Sequence, residues 1–214
     1  MNVLFLIAHP DDEAYGPYGT LAKASAEHNV TVCCLCDGSR PGSEEVADSR
    51  TGAFMENCRR LGAEWRMWSN PDLGLTYNET VNQVIEIVEF FKPDIVYTHN
   101  ISDLNNDHRM VAEAALVACR PKPDSTVKEL YFFEVPSSTD WTFSQVQPTF
   151  EPNVYVDVTD YIDDKKLAMQ RYTTETYPFP DARSIEAMET LSKYRGYQVG
   201  VNNAEALKLV FKRI

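Results

Sequence analysis

Leu4-Phe5-Leu6-Ile7-Ala8-His9-Pro10-Asp11-Asp12-Glu13 is an apolar run that stops abruptly at an imidazole, a proline and three consecutive acids. Asn2 to Ala8 is short, apolar and free of helical periodicity, which predicts a buried strand. Pro10 disfavours the α region at His9, so the strand is expected to run up to the histidine. Asp11, Asp12 and Glu13 fall where a helix would begin, and carboxylates are favoured at a helix N-terminus. Strand, sharp turn and helix put His9 and the acids at the carboxyl edge of a sheet. Open α/β sheets place their ligands at that edge.

Outward from this stretch, strand and helix patterns alternate. Gly19 to His28 reads as a helix, and Val30 to Asp37 as a second strand, apolar enough to be buried on both faces. Gly38 to Ser43 is a loop by composition. Glu44 to Leu61 is a helix capped by Gly62, and Trp65 to Trp68 a short strand. Thr80 to Phe91 places Val81, Val84, Ile85 and Val88 on one helical face. Ile95 to Thr98 is a strand, His108 to Cys119 a helix and Val127 to Val135 a strand. Past Pro136 the pattern loosens: Val154 to Val158 alternates like a strand, and Tyr161 to Tyr172 and Ser184 to Tyr194 are helical. The alternation predicts a Rossmann-like α/β three-layer sandwich with a mostly parallel sheet. We expect one domain with an elaborated C-terminal third.

The 214 residues are 43% hydrophobic and 24% charged, enough for a sizeable core. No basic leader segment and no apolar run near 18 residues is present, so a cytoplasmic protein without a membrane span is expected. Three of the five cysteines, Cys33, Cys34 and Cys36, crowd one apolar strand; they read as buried thiols rather than disulfides or metal thiolates. A net charge of −12 argues against nucleic acid and anionic membranes as partners. It leaves room for a small-molecule substrate and for a homo-oligomer.

The four histidines are His9, His28, His99 and His108. His99 follows the Ile95 to Thr98 strand, and His108 lies in Asp103-Leu104-Asn105-Asn106-Asp107-His108-Arg109, a loop by composition. Loops at the carboxyl ends of neighbouring parallel strands converge, so His9, Asp12 and His108 can meet around one ion. Two imidazoles and a carboxylate leave positions open for water and substrate, the catalytic rather than the structural metal pattern. Asp11, beside a ligand without being needed as one, is the natural general base. His28 belongs to the opposite sheet edge. Trp65, Trp68, Trp141 and Tyr15 are candidates for stacking on a ligand ring, and Arg40, Arg50 and Arg195 for holding a phosphate.

The Ala8 to Glu13 motif, followed by Asp103 to Arg109, closely resembles the LmbE/PIG-L family of zinc-dependent N-acetylglucosaminyl deacetylases. Weaker similarity covers Arg50, Leu61-Gly62, Asp72, Lys165 to Ala168, Arg195-Gly196 and Ala204-Glu205. The resemblance implies His9, Asp12 and His108 as ligands of zinc, or of another divalent transition metal, with Asp11 as general base. It implies Arg50 and Asp72 as sugar-binding residues and an N-acetylated sugar or sugar conjugate as substrate. Several members of the family carry a histidine three residues before the last ligand, where this chain has Asn105. An amide donates a hydrogen bond but holds no titrating proton, which leaves His99 or Asp11 to protonate the leaving amine. Two rival readings are a non-haem iron oxygenase, which uses the same ligand types, and a non-catalytic sugar-binding module that keeps the metal.

Overall fold

Seven strands carry the fold: β1 (Asn2–Ile7), β2 (Asn29–Cys36), β3 (Glu64–Asn70), β4 (Ile95–His99), β5 (Glu129–Phe133), β6 (Val154–Asp157) and β7 (Ala204–Lys212). In the computed structural model, which describes residues 1–214, they form one sheet in the order β3-β2-β1-β4-β5-β7-β6. The helices are α1 (Asp12–Tyr15), α2 (Tyr18–Glu27), α3 (Glu44–Leu61), α4 (Tyr77–Phe91), α5 (Asn106–Ala118), α6 (Ile162–Gln170) and α7 (Ile185–Tyr197).

The period of two in β1 explains why this sheet is covered on both sides. Val3, Phe5 and Ile7 pack with Tyr15, Tyr18, Leu21 and Phe54 on one face. Leu4, Leu6 and Ala8 pack with Val84, Val88, Val111 and Ala115 on the other. Each large apolar side chain so buried contributes about 1.5–3 kcal/mol, and a strand apolar at every position is stable only between two helical layers. α3 ends where expected: Gly62 takes φ 66° and its N–H returns to Arg59 O, while Ala63 N–H reaches Cys58 O.

Strands β1 to β5 pair in parallel. The chain runs outward from β1 through β2 to β3, then crosses to β4 and β5 on the other side of β1. The order reverses between β1 and β4, the point at which open α/β sheets form their ligand crevice at the carboxyl ends of the strands. That crevice holds His9.

Three features depart from the sequence reading. No strand was expected at Ala204 to Lys212, yet β7 pairs antiparallel with both β5 and β6 and so completes the sheet. Its neighbours come from distant parts of the chain, and nothing local announces them. The Asp103 to Arg109 segment is only partly loop: α5 begins at Asn106, so His108 sits in its first turn. And β1 stops at Ile7, because Ala8 gives its N–H to His99 Nε2 (2.9 Å) and its carbonyl to Cys36 N (2.8 Å). Cys33, Cys34 and Cys36 are free and buried, as read, and so are Cys58 and Cys119. No helix is long and apolar enough to cross a membrane.

Candidate active site

The turn after β1 is strained where it matters. Asp11 adopts φ 145°, a region that costs a non-glycine residue about 1–3 kcal/mol. Its N–H is held by Glu13 Oε2 (3.2 Å). Glu13 is itself buried under Tyr172 Oη (2.5 Å) and Asn57 Nδ2 (3.0 Å), and burial pushes its carboxyl up to about 7. The distortion turns the Asp11 carboxylate into the crevice. There Oδ2 meets Arg50 Nη2 at 3.1 Å and Arg183 Nη2 at 2.5 Å. Gly38, at φ 75°, lets Arg50 approach: a Cβ there would stand 3.3 Å from Arg50 Nη1.

Asp12 is the hub of the imidazoles. Its Oδ1 lies 3.2 Å from His108 Nε2, and its Oδ2 lies 3.2 Å from His99 Nε2 and 3.6 Å from His9 Nδ1. Burial raises the cost of its charge, but His108 and His99 outweigh it and hold its pKa well below the ordinary value. The far side of each outer ring is also oriented by carboxylate. His9 Nε2 faces Asp107 Oδ2 (3.1 Å) and Asp72 Oδ1 (3.2 Å). His108 Nδ1 faces Asp103 Oδ1 (3.3 Å), which also accepts from Ser138 Oγ, while Thr139 Oγ1 donates to Asp103 Oδ2 (2.6 Å). Burial works against a charged imidazole at both rings. Its hydrogen bonds to the carboxylates of Asp107, Asp12 and Asp72 overcome it and hold His9 well above its usual value. Asp12 and Asp103 do the same for His108, which rises to about 9.

The donor set fits a divalent transition metal. One ligand atom from each of His9, Asp12 and His108 lies within 4.8 Å of the others, close to the span of three ligands at about 2.0–2.2 Å from one ion. Carboxylates behind the imidazoles are the usual outer partners of such ligands. Asp107 Oδ1 is buried without a hydrogen-bond partner, so the cluster carries more acceptors than its own donors satisfy. His9, Cys36 and Asp107 meet the same spacing. The Cys36 thiol, however, is pushed by burial up to about 12 and donates toward Asp107 Oδ2 instead. The group that opens on the cleft is the one built on His9, Asp12 and His108.

The cleft, of about 270 Å³, is lined by all the expected site residues except His99. Arg50 and Asp72, from α3 and the loop after β3, arrive beside the histidines. His99 lies behind them, fully buried and stacked on His108 at 3.9 Å between ring centroids. Burial and the charge of His108 lower its pKa to about 4, and its Nδ1 has no partner. A neutral ring sealed off from the cleft is poorly placed to protonate an amine. Asn105 lines the cleft, but its Oδ1 caps α5 by accepting Asp107 N–H at 2.8 Å. Among the aromatic candidates Trp141 reaches the cleft, while Tyr15 lies in the core. Arg195 instead forms a forked pair with Glu134. Arg183 and Glu175, which also line the cleft, escaped the sequence reading: each stands alone in an irregular segment with no spacing to mark it. The orienting roles of Asp103 and Asp107 were masked by their place in a polar loop.

Against known proteins, residues 4–119 match the family model for PIG-L, the GlcNAc-PI de-N-acetylases. The uncharacterized deacetylase YaiS of Escherichia coli (strain K12) is 24% identical over 177 residues, covering 78% of this chain and 87% of that one. The N,N'-diacetylchitobiose deacetylase of Pyrococcus horikoshii superposes with a TM-score of 0.78 at 22% identity, over 98% of this chain and 83% of that one. The 4-carboxy-2-hydroxymuconate hydratase GalB of Pseudomonas putida KT2440 superposes with a TM-score of 0.75 at 23% identity, over 100% and 97%. A deacetylase and a hydratase share this fold, so chemistry has to be argued from the site.

Proposed function

Because the chain belongs to the PIG-L (GlcNAc-PI de-N-acetylase) family, we propose that it is a metal-dependent N-deacetylase acting on an N-acetylated amino sugar or its conjugate. One observation carries the reading: His9, Asp12 and His108 bring one ligand atom each within 4.8 Å of one another, in a polar cleft that Asp11 also lines. His9, Asp12 and His108 would hold the ion, with zinc the best match to two imidazoles and a carboxylate. When bound, the ion supplies Lewis acidity to the acetyl carbonyl and to the attacking water.

The chain's own groups do the rest. Asp11 takes the proton of the water on Oδ1, the oxygen that neither Arg50 nor Arg183 engages. Both guanidiniums hold Oδ2 and fix the direction of the other lone pairs. As the carbonyl carbon becomes tetrahedral, the Asn105 amide can donate an N–H to the oxygen that gains charge. Asp11 then returns its proton to the nitrogen as the C–N bond breaks, releasing acetate and the amine. Arg50 and Asp72, both on the cleft wall, are suited to sugar hydroxyls. A screen of N-acetylated sugars and conjugates tests the reading. Acetate release is expected with zinc and none after prolonged chelation; full activity in verified metal-free protein overturns it.

A further inference from the structure

The polar cleft continues into an apolar one. Leu104 and Trp141 line both the cleft and a neighbouring hollow of about 290 Å³, whose other walls include Phe143 and Val146. These four side chains are 53%, 47%, 64% and 78% exposed. Four large apolar groups gathered at the rim of a polar cleft mark a ligand surface rather than ordinary scatter. The rim is also tied to the chemistry beneath it. Thr142 Oγ1 donates to Ser102 O (2.6 Å) and Leu104 N to Ser138 O (3.4 Å). Ser138 in turn bonds Asp103, the partner of His108.

The charges of the cleft complete the picture. Its three arginines are already matched: Arg40 with Asp72 (2.6 Å), Arg50 with Asp11 (3.1 Å) and Arg183 with Asp11 (2.5 Å) and Glu175 (3.7 Å). A phosphate would have to share these cations with the carboxylates already paired to them, on a chain of net charge −12. An uncharged group meets no such cost.

We infer that the rim of Leu104, Trp141, Phe143 and Val146 is a subsite for an uncharged apolar aglycone, making the preferred substrate a neutral alkyl or aryl N-acetylated glycoside. The inference deepens the deacetylase reading and rests on it. Binding of octyl β-D-glucoside below its micellar concentration, compared with methyl β-D-glucoside by calorimetry, reads the subsite without turnover. The octyl compound is expected to bind on the order of tenfold more tightly or better, since burying a few methylenes supplies that much. In the double variant Phe143→Ser/Val146→Ser that advantage should shrink to about twofold. Both positions are exposed, so the fold is retained.

An octyl advantage that is absent, or that survives the double variant, overturns the subsite. So does concentration-dependent dimerisation, or binding to neutral phosphatidylcholine vesicles, that the double variant abolishes; the rim would then belong to a second copy or to a lipid surface. Turnover of the two matching N-acetylated glycosides separates the two readings. Acetate released from methyl and octyl forms with equal kcat/KM overturns the subsite and leaves the deacetylase. The octyl binding advantage with no acetate from any glycoside overturns the deacetylase instead.

Discussion

Asp12 and Glu205 are both buried carboxylates set against a helix that follows β1, yet their surroundings obey opposite rules. Glu205, on β7, reaches the start of α2 and accepts from Gly19 N (2.9 Å), Thr20 N (2.7 Å) and Thr20 Oγ1 (2.7 Å). Lys165 Nζ adds an ion pair at 2.7 Å and donates a further hydrogen bond to Gly16 O at 2.5 Å. Pro17, at the N-cap position of α2, offers no capping side chain, and Glu205 supplies from a distant strand what a Ser or Asp would supply locally. Gly19 makes the fit possible, since a Cβ there would stand 2.6 Å from Val158. Every demand around Glu205 is met. Around Asp12 the reverse holds: three imidazoles crowd one carboxylate, and Asp107 Oδ1 and His99 Nδ1 lack partners. Each orphan costs about 1–3 kcal/mol. A saturated network holds a fold together, and an unsaturated one is arranged for something that comes and goes.

The sharpest way to break this comparison is to cut both hubs. Asp12→Ala should lose zinc affinity and deacetylation together, the latter by on the order of 10³-fold or more, with the fold intact by circular dichroism. Glu205→Ala should leave zinc affinity unchanged and cost about 3–5 kcal/mol in urea unfolding, because Lys165 is left buried and uncompensated. If Asp12→Ala kept its metal, or Glu205→Ala lost it without unfolding, the division between the two clusters would collapse.

Within the unsaturated cluster, Asp11→Asn separates base from ligand. Metal content should stay at the parental level while kcat falls on the order of 10²-fold or more. A variant nearly as fast as the parent would move the base elsewhere.

Acidity sharpens the contrast further. His108 is held at about 9 against an ordinary 6.5, so the folded chain grips this proton more tightly than the unfolded chain. Metal-free protein is therefore fully stabilised by His108 below about pH 6.5 and loses that contribution as pH rises through about 9. Metal binding must displace the same proton, so zinc affinity should climb over that window, by about tenfold per unit for each proton released. Zinc titrations in buffers of different ionisation enthalpy would count the protons. A flat affinity across the window would mean that the imidazoles are not the ligands.

The smallest effect is expected at Asn105. Loss of its cap in Asn105→Ala should cost about 1 kcal/mol of stability, and Asn105→Asp should restore it. If kcat falls on the order of tenfold or more in Ala while KM holds, the amide also serves the reaction as a donor.

What the chain determined by itself is whatever depends on neighbours along it. The apolar period of β1, the Gly62 cap and the amphipathic face of α4 are local burial signals, and each element formed within a few residues of its reading. His9, Asp11, Asp12 and His108 were legible for a related reason: strand ends in a parallel sheet share one edge, so placing the strands places the residues after them. Tertiary structure alone decided the rest. It slid β7 between β5 and β6, and it carried Arg183 across 172 positions onto Asp11. It also turned Asp103 and Asp107 from loop solvation to the support of His108 and His9, and sealed His99 behind the site it was expected to serve. An ion pair, or a strand's place in a sheet, is a property of two distant segments at once. Neither segment carries a periodicity that names the other.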